Sequence, residues 1–373
     1  MSNLRNVAVV GFAQAPIVTR DLHRTSQDML YPQVRRALDE CGVSRDDIDY
    51  QVAGSSDYID GRPFGFVMAL DVMGSWPPRQ DLHVEMDAAF AAYYAWLRMQ
   101  AGDCDTAIVC GYGKSSEGDL DRVLNLQLDP FYFGAIGLDP VATSALQASA
   151  FMEHSKKSDH DFAAIAARNR AAGVRNPDAL LREVADPEVL SESEWVTGPL
   201  RRGYMSPYGE TAVCLVLAAE GKAEAMCDRP AWIHGLDQRI EMQNIGARNL
   251  ATSAGAQLAT QKALAMAGLT AVKDCDFVEL SATNPAEEMI LCQAMDIDPE
   301  EERPVINPSG GPMCGNPIMM TGLIRLGEVF RQLSGRAGDH AVAGAQRGLA
   351  HAASGHCLQQ NLVFVCGSER RWT

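Results

Sequence analysis

Four short runs of almost wholly apolar residues set the first limit on this chain: Val7 to Phe12, Thr106 to Cys110, Ala212 to Ala218 and Leu362 to Cys366. Apolar runs of this length are the pattern of buried strands. Between them the period becomes helical. Met29, Leu30, Val34, Ala37 and Leu38 recur at helix spacing behind Ser26 and Asp28, and Gly42 closes the segment. Pro32 lies in its first two turns, where it bends a helix or shifts its start. Tyr50 to Ala53 reads as another strand. Strands alternating with helices make an α/β protein.

The same passage returns downstream. Ala37-Leu38 with Gly42-Val43-Ser44 is echoed by Ala263-Leu264 with Gly268-Leu269-Thr270, and Asp49 by Asp276, with a one-residue slip. This spacing implies a duplicated α/β half and not a solenoid. We place the boundary at Asp228 to Pro230, giving an N-terminal half over 1–228 and a C-terminal half over 229–373. Residues from about 114 to 205 differ in character, with more charge and Asp-Pro at 129–130, 139–140 and 186–187. They read as an insertion with its own helices, such as Phe162 to Ala172.

Several function classes are disfavoured. A net charge of −16 argues against a general nucleic-acid binder, which needs a basic face, and disfavours an anionic membrane surface as partner. No apolar run reaches 18 residues, so no membrane span is expected. Met1 to Arg5 leads almost directly into a strand-like run, which leaves no room for a secretory leader. The ten cysteines form no CxxC pair and mostly sit in apolar segments, as Cys110, Cys214 and Cys366 do. We therefore expect a cytoplasmic protein with reduced, buried cysteines, no disulfides and no metal site.

Candidate chemistry gathers in three places. Asn307 to Gly322 reads NPSGGPMCGNPIMMTG, a glycine loop feeding a buried helix whose first turn suits Pro317. Free N–H groups at such a start favour an oxyanion or a polarised carbonyl; the alternative is a tight turn with a well-capped helix. Asp87 precedes Ala88-Ala89-Phe90-Ala91-Ala92, a helix start so small that something packs closely against it. Ser354-Gly355-His356-Cys357 forms the turn before the last strand.

Together these features resemble the thiolase superfamily, and within it the sterol-carrier-protein-x or lipid-transfer-protein branch, which includes steroid side-chain aldolases. The resemblance implies a five-layer αβαβα fold built from two related halves. It implies action on acyl-CoA thioesters at a carbon–carbon bond, with coenzyme A entering as part of the substrate and no resident cofactor. The CoA-binding region would be the insertion. A homodimer or a heteromeric thiolase-like dimer is expected, as is a zinc-ribbon and OB-fold partner protein. The dimer should bring the alanine-rich helix and Thr106 to Cys110 to or near a subunit interface.

The chain departs from the family pattern at four positions. Ala88 falls where the resemblance places the nucleophilic cysteine, closing the usual acyl-enzyme route. Gly315-Asn316-Pro317 replaces Gly-His-Pro, and Asn donates a hydrogen bond but cannot carry a proton. Ser281-Ala282-Thr283-Asn284 and Ala353-Ser354-Gly355 replace the other two windows. The tyrosines proposed for the aldolases have no counterpart in 277–288 or 307–322.

The remaining catalytic candidates are His356 and Asp87 as acid–base groups, Asn316 as oxyanion donor, and Cys314 and Cys357 as thiols. Asn284, Glu287, Gly310, Gly311 and Gly355 are candidates for binding substrate. Each has a structural alternative. Asp87 and Asn284 can cap helices, Cys314 can be an inert buried thiol, and His356 can be a surface turn. Tyr204 and Tyr208 default to core or interface. Two readings stand: a non-thiolytic carbon–carbon lyase or acyltransferase acting on a bulky lipid or steroid side chain, and a degenerate subunit that scaffolds an active partner.

Overall fold

A computed structural model of the chain describes residues 4–61 and 63–370. Met1 to Asn3, on which the expectation of a leaderless start partly rests, lie outside the described residues. The first half opens with β1 (Val7–Gln14), α1 (Ser26–Glu40) and β2 (Tyr50–Gly54). Short helices α2 (Asp57–Asp60) and α3 (Val67–Met73) lead to β3 (Gln80–Val84), α4 (Ala88–Gln100) and β4 (Thr106–Gly113). The inserted stretch carries α5 (Leu120–Leu126), α6 (Pro140–Ser155), α7 (Asp159–Gly173), α8 (Pro187–Ser191) and the hairpin β5 (Trp195–Thr197) and β6 (Leu200–Arg201). Next come β7 (Thr211–Ala219) and α9 (Lys222–Met226). The second half runs β8 (Ala231–Ile240), α10 (Ala254–Ala267), β9 (Phe277–Glu279), α11 (Pro285–Ala294) and β10 (Val305–Ile306). It ends with α12 (Thr321–Ser334), β11 (Arg347–Ser354) and β12 (Gln360–Gly367).

The two halves share one topology. The first orders its strands β3-β2-β4-β7-β1 and the second β10-β9-β11-β12-β8. In both, the three outermost strands run parallel and the remaining two pairings are antiparallel. β1 and β8 join the halves through Ala8↔Trp232 and Val9↔Ala231. α1 covers β1 and β7 on one outside face, and α10 covers β8 and β12 on the other. α4 and α12 pack against each other in the middle, α4 on β2 and β4, α12 on β11 and also β1. The layers are therefore helix, sheet, helix, sheet, helix. The duplication read from Ala37-Leu38 and Ala263-Leu264 is the pairing of α1 with α10.

Local chemistry explains the element starts. Thr25 and Asp28 form a capping box ahead of α1, which runs on through Pro32. Two of the three Asp-Pro pairs are helix starts: Asp139 and Asp186 cap α6 and α8, with proline in the first turn. All ten cysteines are free and buried. No helix among the described residues is long and apolar enough to cross a membrane.

One expectation is corrected. The helix after the glycine stretch starts at Thr321 and not at Pro317, because residues 317–320 form a turn. β4 is wholly buried and hydrogen-bonded to β2 on one side and β7 on the other. The alanine face of α4 is likewise interior, and the edge strands of the sheet are β3 and β10.

The small residues of α4 have a visible cause. A Cβ on Gly54 would lie 2.4 Å from the Cα of Ala88, so strand and helix backbones touch without side chains between them. Gly54→Ala should destabilise the fold by about 1–3 kcal/mol through overpacking. Urea unfolding followed by circular dichroism measures this, and an unchanged midpoint would contradict the close packing.

Candidate functional site

The N-termini of α4 and α12 meet at one carboxylate. Asp87 is the N-cap of α4, accepting from the Ala89 N–H at 2.9 Å. It also accepts from Gly322 N–H at 2.8 Å and Leu323 N–H at 3.1 Å, in the first turn of α12. Met320, the N-cap of α12, supplies no side-chain cap of its own. Gly322 makes the approach possible, since a Cβ there would sit 2.6 Å from the Asp87 Oδ1. Burial pushes the Asp87 carboxyl up to about 7, opposed by the three amide hydrogen bonds. The amides expected to await an oxyanion at the start of α12 are thus already taken by a side chain from the other half.

Beside this junction lies a cleft of about 170 Å³. Asp87, Tyr208, Glu287, Asn316, His356 and Cys357 all line it, as does Gly355. Ala88 does not: it is fully buried behind, and the cleft-facing residue at the start of α4 is Asp87. Three of the seven non-glycine residues with positive φ, Met319, Cys357 and Leu358, also line the cleft. Such conformations cost energy and cluster at functional sites. The turn that holds two of them is clamped by Arg248, which donates to the carbonyls of Cys357 at 3.1 Å and His356 at 3.0 Å.

Each polar group has a defined state. Burial lowers the pKa of His356, against a hydrogen bond to the Leu124 backbone, so the ring is neutral near pH 7. Its Nε2 is buried and has no hydrogen-bond partner among the described residues. Glu287 accepts from the Thr283 N–H at 2.7 Å and hydroxyl at 2.8 Å through one oxygen, and burial raises its pKa. Asn316 accepts from the Thr321 hydroxyl at 2.6 Å through Oδ1, leaving its Nδ2 donors unused. Cys357 is the sole cysteine among the described lining residues. Burial pushes its thiol up to about 12, so it is protonated at neutral pH and a poor nucleophile.

Four sequence candidates do not line the cleft. Cys314 packs against α7, its thiol 3.2 Å from the Asn169 carbonyl, and burial pushes it up to about 11, the inert buried thiol of the two alternatives. Gly310 and Gly311 have positive φ and abut the same helix; Cβ atoms there would meet Gly173 at 2.7 Å and Asn307 at 2.8 Å. Their glycine requirement is helix packing, not ligand approach. Asn284 is fully buried and caps α11 by accepting from the Glu287 N–H at 3.1 Å.

Tyr208 was overlooked as a site residue. Its segment is tied to Asn316 by Asn316 N–H to the Pro207 carbonyl at 2.9 Å and Gly209 N–H to the Asn316 carbonyl at 3.2 Å. Burial pushes its phenol up to about 12, so it is a donor at neutral pH. Its sequence signal was the Tyr-Gly pair closing the insertion just before a buried strand.

With this geometry in hand, comparisons locate the chain. Residues 284–368 match the thiolase C-terminal domain-like family. No curated protein matches the chain in sequence. Among solved structures, the Ltp2-ChsH2(DUF35) aldolase superposes with a TM-score of 0.81 at 16% identity, over 98% of this chain and 99% of that one. Human mitochondrial 3-ketoacyl-CoA thiolase gives 0.78 at 16% identity, over 98% and 99%. The monomeric SCP2-thiolase-like protein type 1 of Mycobacterium smegmatis gives 0.77 at 15% identity, over 99% of this chain and 78% of that one. The chain has a thiolase-like fold, and the resemblance read from its motifs holds at that level.

Asp87→Ala would orphan three buried amides and should destabilise the protein by about 2–4 kcal/mol in chemical denaturation. Asp87→Asn adds a pH test. Because the folded-state pKa is raised from 3.8 to about 7, the stability linked to protonation is full below pH 4 and lost as pH rises towards 7. The stability of wild type relative to Asp87→Asn should therefore fall between pH 4 and 7. A flat difference would show that the carboxyl stays ionised throughout.

Proposed function

We propose that this thiolase-fold chain is an acyl-CoA carbon–carbon lyase of the retro-aldol type that works without an acyl-enzyme. The observation that carries this is the neutral His356 with a free Nε2 in a cleft whose sole thiol is protonated. On a 3-hydroxyacyl-CoA, His356 Nε2 takes the proton of the 3-hydroxyl. The C2–C3 bond breaks, the oxygen's electron pair forms the new carbonyl, and the bond's electron pair becomes the thioester enolate. Asn316 Nδ2 and the Tyr208 hydroxyl, both from residues lining the cleft, donate to the enolate oxygen in this scheme. The proton on His356 returns to C2, releasing a shortened acyl-CoA and an aldehyde or ketone. Glu287 holds the loop that bears Thr283 and sets the polarity of the cleft floor.

The substrate we favour carries a bulky lipid or steroid side chain. A cleft of about 170 Å³ takes the reacting end of such a molecule and leaves its body outside. α5, whose Leu124 lines the cleft, leads into Phe131, Tyr132 and Ile136, all at least 71% exposed, an apolar surface suited to that body. The insertion would hold the CoA moiety. The expected setting is cytoplasmic, in a homodimer or a heteromeric complex. The aldolase neighbour is named as Ltp2-ChsH2(DUF35), which supports a heteromeric complex; the partner we expect is of zinc-ribbon and OB-fold type. The second reading, a scaffold subunit, draws on Asp87 occupying the helix amides.

In the complete complex, His356→Ala should lower turnover of a 3-hydroxyacyl-CoA by about 10²-fold or more, with little change in Tm. Activity within a few-fold of wild type, with normal folding, would leave the scaffold reading in possession. Intact-mass spectrometry after incubation with acetyl-CoA should find no covalent acetyl adduct. A stable adduct lost on Cys357→Ser would replace the lyase scheme with thiolysis through that residue.

A further inference from the structure

The far end of α12 borders a second cleft, of about 490 Å³, that shares no lining residue with the first. Five arginines line it: Arg36, Arg175, Arg182, Arg331 and Arg336. That is an unusual density of cations in a chain with 32 basic and 48 acidic residues. Two are fully engaged. Arg331 pairs with Asp178 at 2.7 Å and Glu328 at 2.8 Å and lies over the Phe12 ring at 4.8 Å. Arg336 pairs with Glu40 at 3.2 Å and lies over the Phe330 ring at 5.2 Å. The other three are solvent-exposed and have no carboxylate partner among the described residues. Arg36 donates only to the Gln14 carbonyl and to Gln33. The guanidinium groups of Arg175 and Arg182 make no hydrogen bond or ion pair among the described residues. Asp339 is the one lining acid without an ion pair, so the unpaired groups leave a surplus of two positive charges, three less one.

A competing account is that arginines gather here because α1, α7 and α12 all end nearby, and helix C-termini attract cations. It covers Arg331, Arg336 and Arg175, which lie in or just past the last turns of α12 and α7. It does not cover Arg182, nine residues beyond the end of α7, which still lines the cleft. We propose that this cleft is a second ligand site, built for the phosphoryl group of a small phosphorylated molecule. A phosphate monoester carries about −1.5 to −2 at neutral pH, which matches the surplus. The planar guanidinium forks suit its oxygens, and Arg331 and Arg336 are held rigid behind them. The volume lies within the roughly 300–1,000 Å³ of small-molecule sites.

Calorimetric titration of the full chain with inorganic pyrophosphate, at constant ionic strength, tests this. Wild type should show saturable one-site binding. Arg175→Gln/Arg182→Gln should weaken it by about tenfold or more at unchanged Tm, since neither side chain has a partner to lose. Arg36→Gln should weaken it too, and provides the same reading if the double variant folds poorly. His356→Ala should bind as wild type does. No saturable binding, or equal affinity in wild type and the double variant, would overturn the site and leave the arginines as helix-end counter-charges. Succinate binding as tightly as pyrophosphate would overturn the phosphoryl assignment.

Discussion

One carboxylate joins the two halves of this protein. Asp87 sits at the start of α4 in the first half and accepts hydrogen bonds from the start of α12 in the second, 235 residues away. Two helices that point their N-termini at each other would otherwise bring two partial positive charges and several unpaired amides into a dry interior. A single carboxyl group that accepts from three amides answers both. Gly322 supplies the space and the Ala88 N–H bonds the Met319 carbonyl beside it, so the central helix layer is closed by backbone and one side chain. The cleft exists on the open side of this junction. Its lining residues come from both halves and from the insertion, which is why no one segment of sequence describes it.

The glycine stretch divides its labour along its length. Asn307 takes a left-handed backbone and ties the stretch to the second half: its Oδ1 accepts from Leu280 N–H at 2.7 Å and its Nδ2 donates to Asn169 and Glu288. Glu288 is bonded in turn by Arg168, and Ser309 by Glu279 and Arg325. Each carboxylate of this network faces an arginine, which is the condition for keeping it inside. The network bolts α7 of the insertion onto the second half. Only from Asn316 onward does the stretch face the cleft. The part with the most glycine is therefore the scaffold, and the part with fewer carries the polar groups.

This division marks what the sequence could disclose. The buried strands, α1 and the echo of α1 in α10 are written in local period and caps, and they were legible. So was the turn around His356, because a glycine turn before a buried strand has few places to go. Three things were not. Helix α12 begins late because its cap comes from Asp87, and no window around Pro317 contains that residue. Cys314 was open between a reactive and an inert buried thiol; the packing of α7 over it, which decides for the inert one, is a long-range contact. Tyr208 looked like core because its tie to Asn316 is a backbone bridge between segments 108 residues apart. Local pattern reveals which residues turn or cap. It does not reveal which distant backbone they turn towards.

The chemistry of the cleft follows from the same junction. An enzyme that forms a thioester intermediate needs a thiolate and a ring of donors for the oxyanion. Here the Gly322 and Leu323 amides are already taken by the Asp87 carboxyl and are closed to an oxyanion. Cys357 cannot ionise there either, since burial and the nearby Glu287 both raise its pKa. What the cleft retains is a neutral base and neutral donors: His356 Nε2, Asn316 Nδ2 and the Tyr208 hydroxyl. Such a set favours a reaction in which one proton is taken and later returned, with negative charge spread over an enolate near donors that are not helix ends. A carbon–carbon cleavage next to a thioester meets that description; a thiolysis does not.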